Sequence, residues 1–165
     1  MPQSGPRGGM RPADRLSVMA EGIRVYDWYG DGRLLVADLG LACCSLEFEA
    51  AVLARREAEL PPGPGPLAAP PQALAVVVSG TVPDALVPVV REAIDALADR
   101  VGRPAQVIAY GACASSGGPY WDSYAVADGI AQFVPVSVVV PGCPPPPGSL
   151  EEALAGLATD LEEAR

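Results

Sequence analysis

AQVIAYGACASSGG, residues 105–118, changes character at Tyr110. The part up to Tyr110 is a short apolar run suited to a buried strand. The part after it is glycine and other small residues around Cys113, which let backbone come close to a bulky group. The same succession recurs downstream, where Val136–Val140 reads as a strand and runs into PGCPPPPGS with Cys143. Upstream, Ala73–Ser79 (ALAVVVS) is another buried-strand run. Leu34–Val36, after a Gly-Asp-Gly turn, is a shorter one that leads to the pair Cys43-Cys44. Helical stretches separate these runs. They are Ser45–Glu59 with Ser45 as its cap, about Asp84–Arg100, a short one at Ser123–Asp128, and Leu150–Glu163 capped by Ser149. Strands alternating with helices predict an α/β fold, a parallel sheet with helices on both faces. Ligands bind such sheets beyond the carboxyl ends of the strands, which is where Cys43, Cys44, Cys113 and Cys143 all fall.

The 165 residues suffice for one domain with a real core. We expect a disordered tail at 1–20 and a single domain at 21–165, interrupted by a Pro/Gly-rich loop at 60–72. The heart of that loop, PPGPGPLAAPP, is a stiff exposed segment rather than regular structure. A net charge of -9 argues against a nucleic-acid partner. The absence of histidine removes hydrolytic triads and His-ligated zinc or haem. No secretory signal is visible, and no run reaches the roughly 18–20 apolar residues of a membrane helix. A cytosolic location follows as the expectation, and there cysteines serve as ligands or catalysts more often than as disulfides.

The four cysteines are the only ones in the chain. Four thiolates are what a four-iron cluster takes, so electron transfer is the leading idea. Duller readings compete. Structural zinc normally uses Cys-x-x-Cys knuckles, and a thioredoxin-like redox pair needs the same spacing; neither motif is present. A ferredoxin-type Cys-x-x-Cys-x-x-Cys run is absent too. Plain buried cysteines are the remaining alternative, at odds with their glycine-rich and proline-rich loops.

At these residues the sequence resembles the B-type subunit of NADH-quinone oxidoreductase (respiratory complex I), the 20 kDa type, a family related to the small subunits of nickel-iron hydrogenases. The resemblance is carried by GLACCSLE around Cys43-Cys44, SGT at Ser79–Thr81, GACASSGG at Gly111–Gly118, and SYAVADGIAQFVPVSVVVPGCPP from Ser123 to Pro145. It spans about Leu39 to Leu154. It implies one [4Fe-4S] cluster on Cys43, Cys44, Cys113 and Cys143, last in an electron relay that ends at quinone. It also implies a subunit of a proton-translocating enzyme that is not catalytic alone, with NADH oxidised elsewhere. The implied partners are other subunits of the complex, above all a large hydrogenase-like one, with quinone between the two. The implied place is the cytoplasmic side of the cell membrane, peripheral, through the complex and without a membrane span of its own.

This chain also departs from the family. Where members carry arginines and phenylalanines before the strand at Ala73, it reads LPPGPGPLAAPPQAL, with only Gln72 and Ala73 matching. Ser137 stands where the family often has aspartate. The chain therefore reads as a divergent member. A hydrogenase-like small electron-transfer subunit and a cluster-free structural subunit are the alternatives. Glu47 reads either as a residue tuning the cluster or as a carboxylate favouring a helix N-terminus. Tyr110, Tyr120, Trp121 and Tyr124 read as aromatics that shield the cluster from water, with a quinone or partner surface as the other reading.

Overall fold

Seven consecutive residues, Ala73–Ser79, form a strand buried along its whole length. A strand with both faces covered needs no polar alternation, which is why an unbroken apolar run sits there. The computed structural model describes residues 22–53, 71–146 and 148–163. In chain order it contains β1 (Val25–Asp27), β2 (Leu34–Gly40), α1 (Cys44–Leu53), β3 (Ala73–Ser79), α2 (Val87–Val101), β4 (Ala105–Tyr110), α3 (Ala112–Ser116), β5 (Val138–Val140) and α4 (Ser149–Glu163). A 3-10 turn at Asp84–Leu86 leads into α2.

The strands lie in the order β1-β2-β3-β4-β5, with β2 to β5 parallel. The expected parallel sheet is thus observed with one addition, the antiparallel edge strand β1. A carboxylate organises the turn joining β1 to β2. Asp27 accepts the N–H of Gly30 at 3.0 Å and of Gly32 at 2.9 Å. Such Asx-type turns fold chain back without an apolar signature, so β1 left little trace in the sequence.

Alternate side chains of the strands divide into two apolar layers. On one side Leu35, Leu39, Leu74, Val76 and Val78 pack with Val90, Ile94 and Leu97 of α2. On the other, Val36, Val77, Ile108 and Tyr110 pack with Phe48 and Val52 of α1 and Leu150, Leu154 and Leu157 of α4. Both faces are covered by helices, as the sequence pattern predicts. α2 carries Pro88 in its first turn and ends at Gly102, whose φ of 71° lets its N–H close on Ala98 at 2.8 Å.

Local expectations meet the structure unevenly. α1 begins one residue before Ser45, whose hydroxyl donates to the Ala42 carbonyl at 2.8 Å. Its expected continuation to Glu59 lies outside the described residues, as do the tail at 1–20 and all of the 60–72 loop except 71 and 72. Ser149 opens α4, but its hydroxyl donates to the Pro146 carbonyl instead of accepting an amide of the helix. The helix expected at Ser123–Asp128 is not one. Val126 forms an isolated bridge with Pro83, and Asp84 N–H and Ala127 N–H bond to the carbonyls of Ala125 and Val82. A six-residue stretch is too short to nucleate a helix against such tertiary pairing. Conversely, the small residues after Gly111 do form a short helix, α3, closed by Gly117 N–H on the Cys113 carbonyl at 3.0 Å.

Candidate functional site

Gly40 pairs with Ser79, Ser79 with Tyr110, and Tyr110 with Val140, so the four parallel strands end in one row. Cys43, Cys113 and Cys143 are each the third residue beyond that row, and Cys44 follows at once. Strand register alone therefore carries three loops to the same edge. Main-chain bonds then tie those loops together. Leu41 and Ala42 donate to the Ser79 carbonyl at 2.9 and 3.3 Å, Gly111 donates to Val140 at 2.8 Å, and Ala112 donates to Gly142 at 2.7 Å.

All four thiols are free; Cys44 and Cys113 are buried, and Cys43 and Cys143 are exposed. The Cys44 thiol is pushed up to about 11, first by burial, then by Cys43, and further by Cys113 and Cys143. Each of the other three cysteines is thus close enough to act on Cys44 electrostatically. The neighbouring thiols oppose the ionisation of Cys44, and a bound cation would reverse that opposition. Two glycines make the room. A Cβ on Gly111, at φ 91°, would sit 2.4 Å from Cys44 Sγ, and one on Gly118, at φ 57°, would sit 2.9 Å from Cys113 Sγ. Among the described residues no three His, Cys, Asp or Glu side chains close around the position of a single metal ion.

Glu47 lies in the first turn of α1, three residues after Cys44 and so on the same helix face. It borders a small cavity of about 170 Å³ with Tyr110, Leu150 and Glu151. Tyr110 is buried, and burial followed by the Glu47 charge pushes its hydroxyl up to about 12. The shielding role expected of the aromatics fits Tyr110 alone. Trp121 is 68% exposed, Tyr124 99%, and Tyr120 about half. Tyr124 lies in the turns that replace the expected helix at Ser123–Asp128, whereas Tyr120 and Trp121 close the 3-10 turn before them.

One residue escaped the sequence reading. Asp38 is an acid in the otherwise apolar β2 strand LLVADLG, two residues before the terminal row. Its carboxylate accepts the Ser79 hydroxyl at 2.6 Å. Burial, reinforced by Glu49, raises it to about 7, although the Ser79 hydrogen bond and Arg24 pull the other way. A lone acid inside a strand run was the available signal.

A family model described as NADH ubiquinone oxidoreductase, 20 Kd subunit, matches residues 36–157. The chain is 46% identical over 152 residues to the first of the B-type NADH-quinone oxidoreductase subunits of Salinispora tropica, covering 90% of this chain and 78% of that one. It is 43% identical over 137 residues to the second B-type NADH-quinone oxidoreductase subunit of Streptomyces griseus, covering 81% of this chain. It spans only 55% of that relative's length. Among solved structures, a chain of the membrane-bound sulfane sulfur reductase, an archaeal respiratory membrane complex, shares the fold. The TM-score is 0.57 at 21% identity, over 82% of this chain and 74% of that one.

Proposed function

The chain belongs to the family of the 20 kDa subunit of NADH ubiquinone oxidoreductase, and on that premise we propose that it is the iron–sulfur subunit of an NADH-quinone oxidoreductase, an electron-transfer subunit that hands electrons to quinone. Its ligands in this reading are Cys43, Cys44, Cys113 and Cys143, holding one [4Fe-4S] cluster. The observation that carries the reading is the shared strand-end row, from which three loops each place a cysteine at the same offset.

The donor set supports a cluster over a lone ion. It is all sulfur, the soft ligation that iron–sulfur groups take, and it lacks the Cys-x-x-Cys knuckles usual for structural zinc. When bound, the cluster supplies reversible one-electron storage. The protein's part is ligation, burial and docking. Cys44 and Cys113 anchor the group from the buried side, and Gly111 and Gly118 keep Cβ atoms away from their sulfurs. Glu47, one turn from Cys44, places a negative charge beside the site and tunes its potential.

The outer side is left to a partner. Cys43, Cys143, Tyr120, Trp121 and Tyr124 are exposed, and together they suit docking to a large hydrogenase-like subunit with quinone at the interface. NADH is oxidised elsewhere in the assembly, and this chain alone does not turn over. Among the described residues no helix is long and apolar enough to cross a membrane. In this reading the chain attaches to the cytoplasmic face of the membrane through its complex.

Anaerobic purification with iron and sulfide analysis, followed by EPR of the reduced protein, tests the assignment. About four iron per chain and a signal from a reduced four-iron cluster are expected. A colourless, iron-free protein after attempted reconstitution would overturn it in favour of a structural subunit.

A further inference from the structure

We propose that the cavity between α1 and α4, with Glu47 and Glu151 in its walls and Tyr110 beneath, binds one hydrated divalent cation of the magnesium type. The inference does not depend on what the four cysteines hold.

Two helix starts and a strand end build the cavity. α1 contributes Glu47, Ala50 and Ala51, α4 contributes Leu150 and Glu151, and β4 contributes its last residue, Tyr110. The small side chains of Ala50 and Ala51 leave the space open, and its volume is about 170 Å³. A water occupies about 30 Å³, so the space holds an ion together with several waters.

Its charge is uncompensated. Glu47 and Glu151 are each half-buried, and neither has an ion-pair partner among the described residues. Each stands in the first turn of its helix. The two helix N-termini supply about half a positive unit each, so two carboxylates leave about one negative unit for a cation to neutralise.

A second observation is independent of charge. Tyr110 is 2% exposed, and its hydroxyl has no hydrogen-bond partner among the described residues. Among those residues no sealed side-chain oxygen or nitrogen lacks a partner, so this hydroxyl is not sealed and opens on the cavity it lines. A buried hydroxyl without a partner is uncommon enough to call for a ligand or an ordered water. Both acids reach it. After burial, the charges that push it up are Glu47, then Cys44, then Glu151 and Asp38.

The donors select the ion. All are oxygen, which suits a hard cation and sets this cavity apart from the sulfurs at the strand ends. Among the described residues no three His, Cys, Asp or Glu side chains close on one point, so a dry ion wrapped in protein ligands does not fit. Mg²⁺ suits the alternative, because it keeps several waters and needs only one or two carboxylates. The neutral Tyr110 hydroxyl then bonds to one of those waters. An ion held there ties the starts of α1 and α4, the helices that follow Cys44 and Cys143 in the chain.

The test titrates the full-length chain with Mn²⁺, reads the free ion by room-temperature EPR, and then adds Mg²⁺. One Mn²⁺ per chain should bind and be displaced by Mg²⁺, which thiolates do not select. Glu47→Gln and Glu151→Gln should each weaken this displaceable binding by at least about tenfold, and Tyr110→Phe, which keeps the ring and removes the hydroxyl, by about tenfold. Glu152→Gln makes the same change of net charge at an exposed neighbour and should leave the affinity as it is. Wild-type affinity in Glu151→Gln, or an equal loss in Glu152→Gln, overturns the proposal, because ions would then gather only on the overall charge of -9. Absence of displaceable Mn²⁺ up to about millimolar concentration, the weak end of oxygen-ligated sites, overturns it as well. If Glu47→Gln does not fold, Glu151→Gln and Tyr110→Phe decide the question.

Discussion

Beyond the row Gly40, Ser79, Tyr110 and Val140 the protein is held by its main chain; beneath the row it is held by side chains. The loops at the edge are tied by amide-to-carbonyl bonds across strands, and glycines at positive φ touch the sulfurs. The layers beneath are filled by Phe48, Leu74, Leu97, Ile108 and Leu154, all essentially without solvent contact. Placement by backbone sets the positions of all four cysteines, and only Cys44 also packs in the apolar layer beneath. Placement by side chains leaves the core indifferent to what the edge binds. Substitutions at the edge should therefore remove chemistry and spare stability, and those in the layers should do the opposite.

The largest expected effect tests the first half of that contrast. Cys113→Ser should abolish the EPR signal of the reconstituted protein, while thermal unfolding of the iron-free form changes by no more than about 1 kcal/mol. Gly111→Ala is the sharper form of the same experiment because it keeps all four thiols. Its methyl would have to occupy space 2.4 Å from Cys44 Sγ at φ 91°, so iron content should fall steeply although no ligand is lost. Full iron loading in Gly111→Ala would mean that the loops are mobile enough to dispense with backbone placement.

The second half is tested by Phe48→Ala. Phe48 has no solvent exposure and packs its ring 5.9 Å from that of Tyr26. Its truncation should cost about 3–5 kcal/mol in urea or thermal unfolding. The fraction that remains folded should still bind iron at the wild-type ratio. Iron loss in proportion beyond the unfolded fraction would show that the layers and the edge are not independent.

Much of this architecture was legible in the sequence because it is written in apolar runs and glycine. Ala73–Ser79 and Ala105–Tyr110 were read to the residue, since strands buried on both faces leave no other interpretation of such runs. The four cysteines could be placed at strand ends for the same reason. What was not legible depends on pairing. β1 is three residues long and is held by a turn centred on Asp27, so it has no periodicity to detect. The Ser123–Asp128 segment has helical composition but is captured by Pro83. The outward Tyr124 belongs to those same turns and Trp121 caps the 3-10 turn before them, and composition could not distinguish a shield from an exposed surface. Asp38 matters through Ser79, a neighbour on the next strand that lies 41 positions away in the chain.

A smaller effect sits where the two regions meet. Asp38 is raised to about 7 in the folded protein against about 3.9 in an unfolded chain. The folded state therefore binds this proton more tightly. The associated stability is fully present below pH about 4 and is lost as pH rises through about 7. Asp38→Asn should flatten that part of the stability–pH profile, gaining up to about 4 kcal/mol relative to wild type on the alkaline side. An unchanged profile in urea unfolding across this range would mean that the carboxyl is better hydrated than its burial implies.

The smallest expected effect is that of Glu49→Gln. The Arg24–Glu49 pair is exposed on both sides, so its loss should change stability by under about 1 kcal/mol. Its influence on Asp38 is of a different kind. Glu49 repels the neighbouring carboxylate and Arg24 attracts it. Removing the glutamate charge eliminates the repulsion and leaves Arg24 without its competing anion. The interval over which Asp38-linked stability is lost should accordingly move to lower pH, with the overall stability almost unchanged. Urea unfolding of Glu49→Gln at a series of pH values reads both quantities at once. A displaced interval would show an electrostatic link from the solvent-facing ion pair to the end of β2. An interval that stays in place would confine the control of Asp38 to burial and Ser79, and the edge would then be insulated from the surface as well as from the layers beneath it.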